Sequence, residues 1–235
     1  GSSEIYYIWN SGSSAISDYY DSISISLWFK IDEGETGTLY HEGNSNGGSY
    51  YPQFYFRIAP TSTGTIQVRV NSGDSGTILN TETTSSLCDG EWHNLVYVRD
   101  SDADNTYIYV DNSLDVTVTG NSAKTSRLTT MSFGAKQMNS QVGGTQDYLK
   151  CDISTFRLYT YAISSNIINN NYYEDSGYLE HFFEWKEVDE SNQITDSISG
   201  IKLTSINMSS DDIVQGIDER YENVGAISFD GSSEL

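Results

Sequence analysis

The stretch SISISLWFKI, residues 22–31, alternates strictly between small polar and large apolar side chains. Side chains of an extended chain point alternately to its two sides, so this spacing sets Ile23, Ile25, Leu27 and Phe29 against Ser22, Ser24, Ser26 and Trp28. It predicts a strand with one buried side. The same period recurs along the chain. YYPQFYFRI (50–58) and GTIQVRV (64–70), joined by APTSTG, read as a hairpin, and EWHNLVYVRD (91–100) and TYIYVDN (106–112) as two strands separated by SDADN. LTTMSFGA (128–135), DISTFRLYTYAI (152–163), HFFEWKEV (181–188), GIKLTSI (200–206) and AISFD (226–230) continue the series. A single stretch near 164–175, SSNIINNNYYED, has helical character, with Ser164 or Ser165 as its cap and Gly177 as its stop. With 2 Pro and 18 Tyr among 235 residues, the chain favours strands and polar turns over helix or disorder. The expected class is all-β, a two-sheet antiparallel sandwich folded as one domain over 1–235.

Charge excludes several partners. The 33 acidic and 12 basic residues leave a net charge of −21, which repels nucleic acid and anionic lipid surfaces. No apolar run approaches the roughly 18 residues that cross a bilayer, so no membrane insertion is expected. Cys88 and Cys151 show no metal-ligand spacing and read as buried thiols, unless their Cα atoms come within about 7 Å for a disulfide. An acidic surface rich in Tyr, Asn and Ser is usual on secreted or cell-surface proteins, and an extracellular location is expected.

Several residues then invite a chemical reading. Glycoside hydrolysis needs two carboxylates flanking one bond. The nearest candidate, Glu184, Glu187, Asp189 and Glu190 in EWKEVDESN, breaks its alternation at Ser191 and reads as a solvated strand edge. His41 and His181 have no neighbouring Cys or Asp suggesting a triad or a zinc site. Asp100, Asp102 and Asp104 alternate ahead of Asn105, as at the start of a calcium loop, but without its glycine and distal glutamate. Calcium is the one cofactor this pattern would take, there or near Asp230. A hairpin turn would choose the same residues. Exposed aromatic rings stack on sugar faces, and Tyr50, Tyr51 and Tyr55 beside HEGNSNGG, with Trp9, Tyr19 and Tyr20, are the candidate ligand contacts. Tyr172 and Tyr173 are expected to pack the helix onto the sandwich.

The run CDGEWHNLVYVRD, then TYIYVDN, MSFGA and DISTFRLYTYAIS ahead of a short helix, resembles the laminin-G-like, concanavalin A-like jelly rolls, in the version shared with pentraxins. Asp89, Gly90, Trp92 and His93 match one motif of that family, and Asp152, Ile153, Arg157 and Tyr159 match another. The resemblance spans 22–175 and implies a jelly-roll sandwich whose members bind ligands. Where pentraxins carry an acidic calcium cluster this chain has Lys136, Gln137 and Met138, so the resemblance implies that their calcium mode is absent.

Such domains open with strands like those of 178–235, which here come last. Gly-Ser-Ser-Glu stands at both extremities, and joining Glu234 to Ile5 gives AISFDGSSEIYYIWN, a continuous pair of strands. Two explanations stay open: 178–235 closes the sandwich within one chain, as a circular permutation, or it opens a further repeat and completes a neighbour by strand exchange. The functional expectation is a non-catalytic extracellular module of a larger repetitive surface protein, binding a carbohydrate or a cell-surface protein. The alternative is a structural spacer that assembles tail to head.

Overall fold

The computed structural model describes residues 4–8, 20–43, 54–72, 77–120, 130–137, 145–172, 181–183, 193–195, 202–206, 213–215 and 225–230. In chain order the strands are β1 (Glu4–Ile8), β2 (Ile23–Lys30), β3 (Tyr40–Gly43), β4 (Phe54–Pro60), β5 (Ile66–Ser72), β6 (Thr77–Glu82), β7 (Trp92–Asp100), β8 (Asn105–Val110) and β9 (Ser113–Thr119). There follow β10 (Thr130–Phe133), β11 (Lys136–Gln137), β12 (Thr145–Gln146), β13 (Lys150–Tyr159), helix α1 (Ser165–Tyr172), β14 (His181–Phe183), β15 (Gln193–Thr195), β16 (Lys202–Ile206), β17 (Ile213–Gln215) and β18 (Gly225–Asp230).

These strands build two antiparallel sheets. Sheet A runs β15-β16-β1-β10-β3-β4-β5-β6, and sheet B runs β17-β18-β13-β2-β7-β8-β9, with β14 also on β13. One apolar cluster fills the space between them, from Ile23, Ile25, Leu27 and Phe29 of β2 to Phe56, Ile58, Val68 and Val70 of β4 and β5. Rings bridge the layers: Phe156 of β13 lies 5.4 Å from Tyr40 of β3 and 4.9 Å from Phe133 of β10. Tyr40 donates from its hydroxyl to the buried carboxylate of Glu42 at 2.5 Å. Both cysteines are buried free thiols, and burial pushes the Cys88 thiol up to about 11. The sandwich expectation is met, with more and shorter strands than the alternation marks out.

One strand-level expectation is corrected. β2 is buried on both sides: Ser24, Ser26 and Trp28 are as inaccessible as the isoleucines. The cause is a second layer over the outer face of sheet B. Ile163 and Ile168 pack there with Val96, Val98 and Tyr159, and Tyr172 sets its ring 5.2 Å from Trp28. Ser24 Oγ donates to the carbonyl of Tyr161 at 2.9 Å and accepts from the amide of Ile163 at 3.0 Å. The Ser24 hydroxyl is therefore a polar contact for the covering segment, while Ser26 Oγ accepts from the Asn94 side chain, so neither is buried unpaired. The helix starts where expected, Ser164 accepting from the amide of Ile167 in the position of an N-cap.

Turn chemistry fixes the hairpins of sheet B. Asp111 and Asn112 join β8 to β9 with φ of 46° and 65°, the left-handed pair that a two-residue turn of matching twist requires. His93 at the start of β7 ties this turn down. Its Nδ1 lies 2.8 Å from Asp111 and its Nε2 3.1 Å from Asp89. Two carboxylate neighbours are both satisfied only by the imidazolium, and the His93 pKa is raised, chiefly by the Asp111 hydrogen bond and then, against burial, by its charge and by Asp89. A raised folded-state pKa means stability present below the unfolded value of about 6.5 and lost as pH climbs through the raised value. The melting temperature of the wild type should therefore exceed that of His93→Gln at about pH 5 and converge on it towards about pH 9. A gap that stays constant over that range would show that the charge contributes nothing.

Candidate functional site

With sheet B's outer face covered, the outer face of sheet A is the broad surface to consider. Register builds it. In one row across the sheet Ser132, His41, Arg57, Arg69 and Asn80 stand directly opposite one another on β10, β3, β4, β5 and β6. Two residues along, the next row is Thr130, Gly43, Tyr55, Asn71 and Thr77. Their neighbours Phe56, Val68, Val70 and Leu79 point the other way, into the core. Burial falls across the row: Ser132 and His41 are inaccessible, Arg57 and Arg69 half-buried, and Asn80 exposed.

Arg57 and Arg69 facing each other on adjacent strands is an unusual choice, because like charges placed directly opposite destabilise a sheet. Surrounding bonds hold the pair. Arg57 donates from Nε to Thr38 Oγ1 and from Nη2 to the carbonyl of Gly37, both at 2.9 Å. Arg69 donates to Thr77 Oγ1 at 3.0 Å, and its guanidinium lies 5.8 Å from the centre of the Tyr55 ring. Lys136, placed by the β11–β12 ladder, stands 3.8 Å from Asp147, which is 3.9 Å from Arg57. Burial, opposed by the Asp147 charge and reinforced by neighbouring cations, lowers the pKa of both Arg57 and Lys136. His41 stacks on Tyr55 with ring centres 6.2 Å apart. Burial first, then Lys136 and Arg57, hold its pKa down at about 3, so it is neutral at ordinary pH. Gly43 leaves room for that ring: a Cβ there would come within 2.3 Å of His41 Cε1.

Of the aromatic residues singled out in the sequence, Tyr55 is on this face. Tyr20 packs against the main core, and its carbonyl accepts from Arg99 of sheet B. Trp9, Tyr19, Tyr50 and Tyr51 lie outside the described residues, as do Glu184, Glu187, Asp189, Glu190 and Tyr173. The aspartate turn is occupied with its own backbone: Asp100 Oδ1 accepts from the amides of Asp102 and Ala103 at 3.1 Å, and the Asp104 carbonyl accepts from Gly120 at 2.8 Å. Asp102 and Asp104 are exposed, and Asn105 donates from its side chain to the Tyr107 hydroxyl at 3.0 Å. Asp230 pairs in register with Lys150, at the end of sheet B opposite to Asp100. No group of three or more His, Cys, Asp or Glu side chains suited to a metal occurs among the described residues. His93, with a carboxylate at each ring nitrogen, is a structural pin.

Alternation sets Arg57 and Arg69 on the polar sides of their strands, but a loop of APTSTG would pair Ile58 with Thr65 and place Arg57 opposite Ile66. The arginines meet because the ladder runs on to Pro60–Ile66.

A laminin-G-like family model, described as the concanavalin A-like lectin/glucanases superfamily, matches residues 9–169. The chain belongs to that superfamily. Among curated proteins, none matches it. Solved structures share the fold at low identity. A provisionally assigned carbohydrate binding protein from Bacteroides ovatus ATCC 8483 superposes with a TM-score of 0.63 at 14% identity, over 89% of this chain and 57% of that one. The CBM40 of a Ruminococcus gnavus sialidase, bound to α2,3-sialyllactose, gives 0.51 at 12% identity, over 65% and 82%. The NanB sialidase of Streptococcus pneumoniae gives 0.52 at 21% identity, over 70% of this chain and 27% of the sialidase. The chain thus spans little more than half of the Bacteroides protein. Among the described residues of this concanavalin A-like chain, no helix is long and apolar enough to cross a membrane.

Proposed function

We propose that this chain is a non-catalytic glycan-binding module and that the outer face of sheet A, around Tyr55, receives the sugar. The observation that carries the reading is the half-exposed pairing of an aromatic ring with hydrogen-bonding side chains: Tyr55 between His41 and Arg69, beside Asn71, Thr77 and Asn80. The half-exposed ring supplies apolar contact for a pyranose, and flanking amides and guanidinium groups satisfy its hydroxyls. Carbohydrate binding by proteins of the same fold supports this reading, and so does the small share of the sialidase that the chain matches. Attachment to host or neighbouring cells, from an extracellular position in a larger repetitive protein, is the role such a module would serve.

The proposal includes the architecture. Residues 178–235 supply the superfamily's opening strands to the same sandwich, a reading supported by the ladders of β18 and β14 to β13 and of β16 to β1. The alternative, a spacer assembling by strand exchange, draws on those same ladders.

A glycan array tests the function. Selective binding by the full chain, lost in Tyr55→Ala while the melting temperature holds, is the expected outcome. A chain that binds no glycan and forms concentration-dependent oligomers in light scattering would be a spacer.

A further inference from the structure

Within the glycan-binding reading, on which this inference rests, the side chains of the face restrict the kind of sugar. The chain as a whole carries 33 acidic and 12 basic residues. The outer face of sheet A reverses that proportion: among its described residues Arg57, Arg69 and Lys136 gather against Asp147 and Glu82. Glu82 is turned to Thr65, whose hydroxyl donates to it at 2.9 Å, and stands opposite Gln67, one row away from the arginines. Asp147 is shared between Arg57 and Lys136 at 3.9 and 3.8 Å, too far for a hydrogen bond to either.

The donors differ in how far they are already used. Arg57 is committed to Thr38 and Gly37 and acts as fixed positive charge. Arg69 makes a hydrogen bond to Thr77, and its inaccessible Nε has no acceptor among the described residues. A half-buried ammonium whose carboxylate neighbour among the described residues lies beyond hydrogen-bond distance is costly in a free protein. So is the cross-strand repulsion between Arg57 and Arg69. Each of these costs is relieved by one event, the arrival of an anionic group with several acceptor oxygens. A planar guanidinium matches carboxylate and sulfate oxygens in a two-point contact, and Lys136 adds a point charge.

We propose that the sugar bound here carries an anionic group, a carboxylate or a sulfate, held by Arg69 and Lys136 in the field of Arg57 while its ring rests against the exposed part of Tyr55. The remainder of the chain, strongly negative, opposes such a ligand at long range, so recognition arises from these contacts and not from net charge.

The test is calorimetric titration of the full chain with matched pairs: 3′-sialyllactose and trigalacturonic acid as carboxylate arms, 3′-sulfolactose as the sulfate arm, and lactose as the neutral control. The expected result is binding of at least one anionic probe at least about tenfold tighter than lactose. Which arm binds tells carboxylate from sulfate. Arg69→Gln and Lys136→Gln should each weaken that probe by about tenfold or more, with the melting temperature unchanged or raised, since removing a cation relieves repulsion in the free chain. Loss of melting temperature in both variants together with unchanged affinity would make the cluster structural and overturn the proposal. Equal affinity for lactose and the anionic probes would overturn it as well while leaving glycan binding intact. Silence toward every glycan, on the array and here, would remove the underlying reading and this inference with it.

Discussion

A chain ended after residue 177 is expected not to fold cooperatively by itself. The reason lies in β13, the strand with the most buried length in sheet B. One of its edges pairs with β2. The other pairs with β18 through Lys150–Ile153 and with β14 through Phe156–Leu158. Truncation would strip that second edge along most of its length, leaving backbone donors and acceptors without partners beside a largely apolar core. Unpaired buried backbone groups are costly, and an exposed edge with apolar faces invites aggregation. β1 would lose β16 in the other sheet at the same time. Residues 1–177 should therefore give a broad, non-cooperative melt or insoluble protein, and adding a separate 178–235 polypeptide should restore a sharp transition. A truncated chain that melts sharply at the temperature of the full chain would show that the tail is an independent unit.

Phe156→Ala is expected to cost about 3–5 kcal/mol, the range for emptying a large ring from a packed core. Phe156 is fully buried and sits at the register shift between Ile153 and Phe156 in the pairing of β13 with β2. Its ring touches Tyr40 and Phe133 of sheet A, so its loss removes one of the ring contacts that join the layers. Tyr40 also aligns its hydroxyl on buried Glu42, and a cavity beside it would loosen that charged hydrogen bond as well. Urea denaturation would measure the effect, with Phe156→Leu losing much less because it keeps most of the volume. A loss below about 1 kcal/mol in Phe156→Ala would mean that the sheets are held together elsewhere.

These two expectations rest on strands that the alternation of the sequence reveals directly, because burial between two sheets leaves a clear period of two in β2 and β5 and, on either side of the shift between Ile153 and Phe156, in β13. The same signal is misleading where polar residues face inward. In β3, Tyr40 and Glu42 point to the core while His41 and Gly43 point away, so an apparently polar tetrapeptide hides a buried strand. Ser24 and Ser26 gave a polar face that the covering segment from Tyr161 onward buries, a consequence of tertiary packing that no local pattern records. The cross-strand arginines were legible only through register, and the grip of His93 on Asp111 only through the left-handed turn that carries the aspartate back to it.

Nuclear magnetic resonance of the isotope-labelled full chain, titrated with its best-binding glycan, tests whether sugar is received on the outer face of sheet A. Saturable shifts concentrated at Tyr55, Arg57, Arg69 and Asn71 are expected. Shifts gathered instead at the Asp100–Asn105 turn, with those four residues unmoved, would contradict that placement.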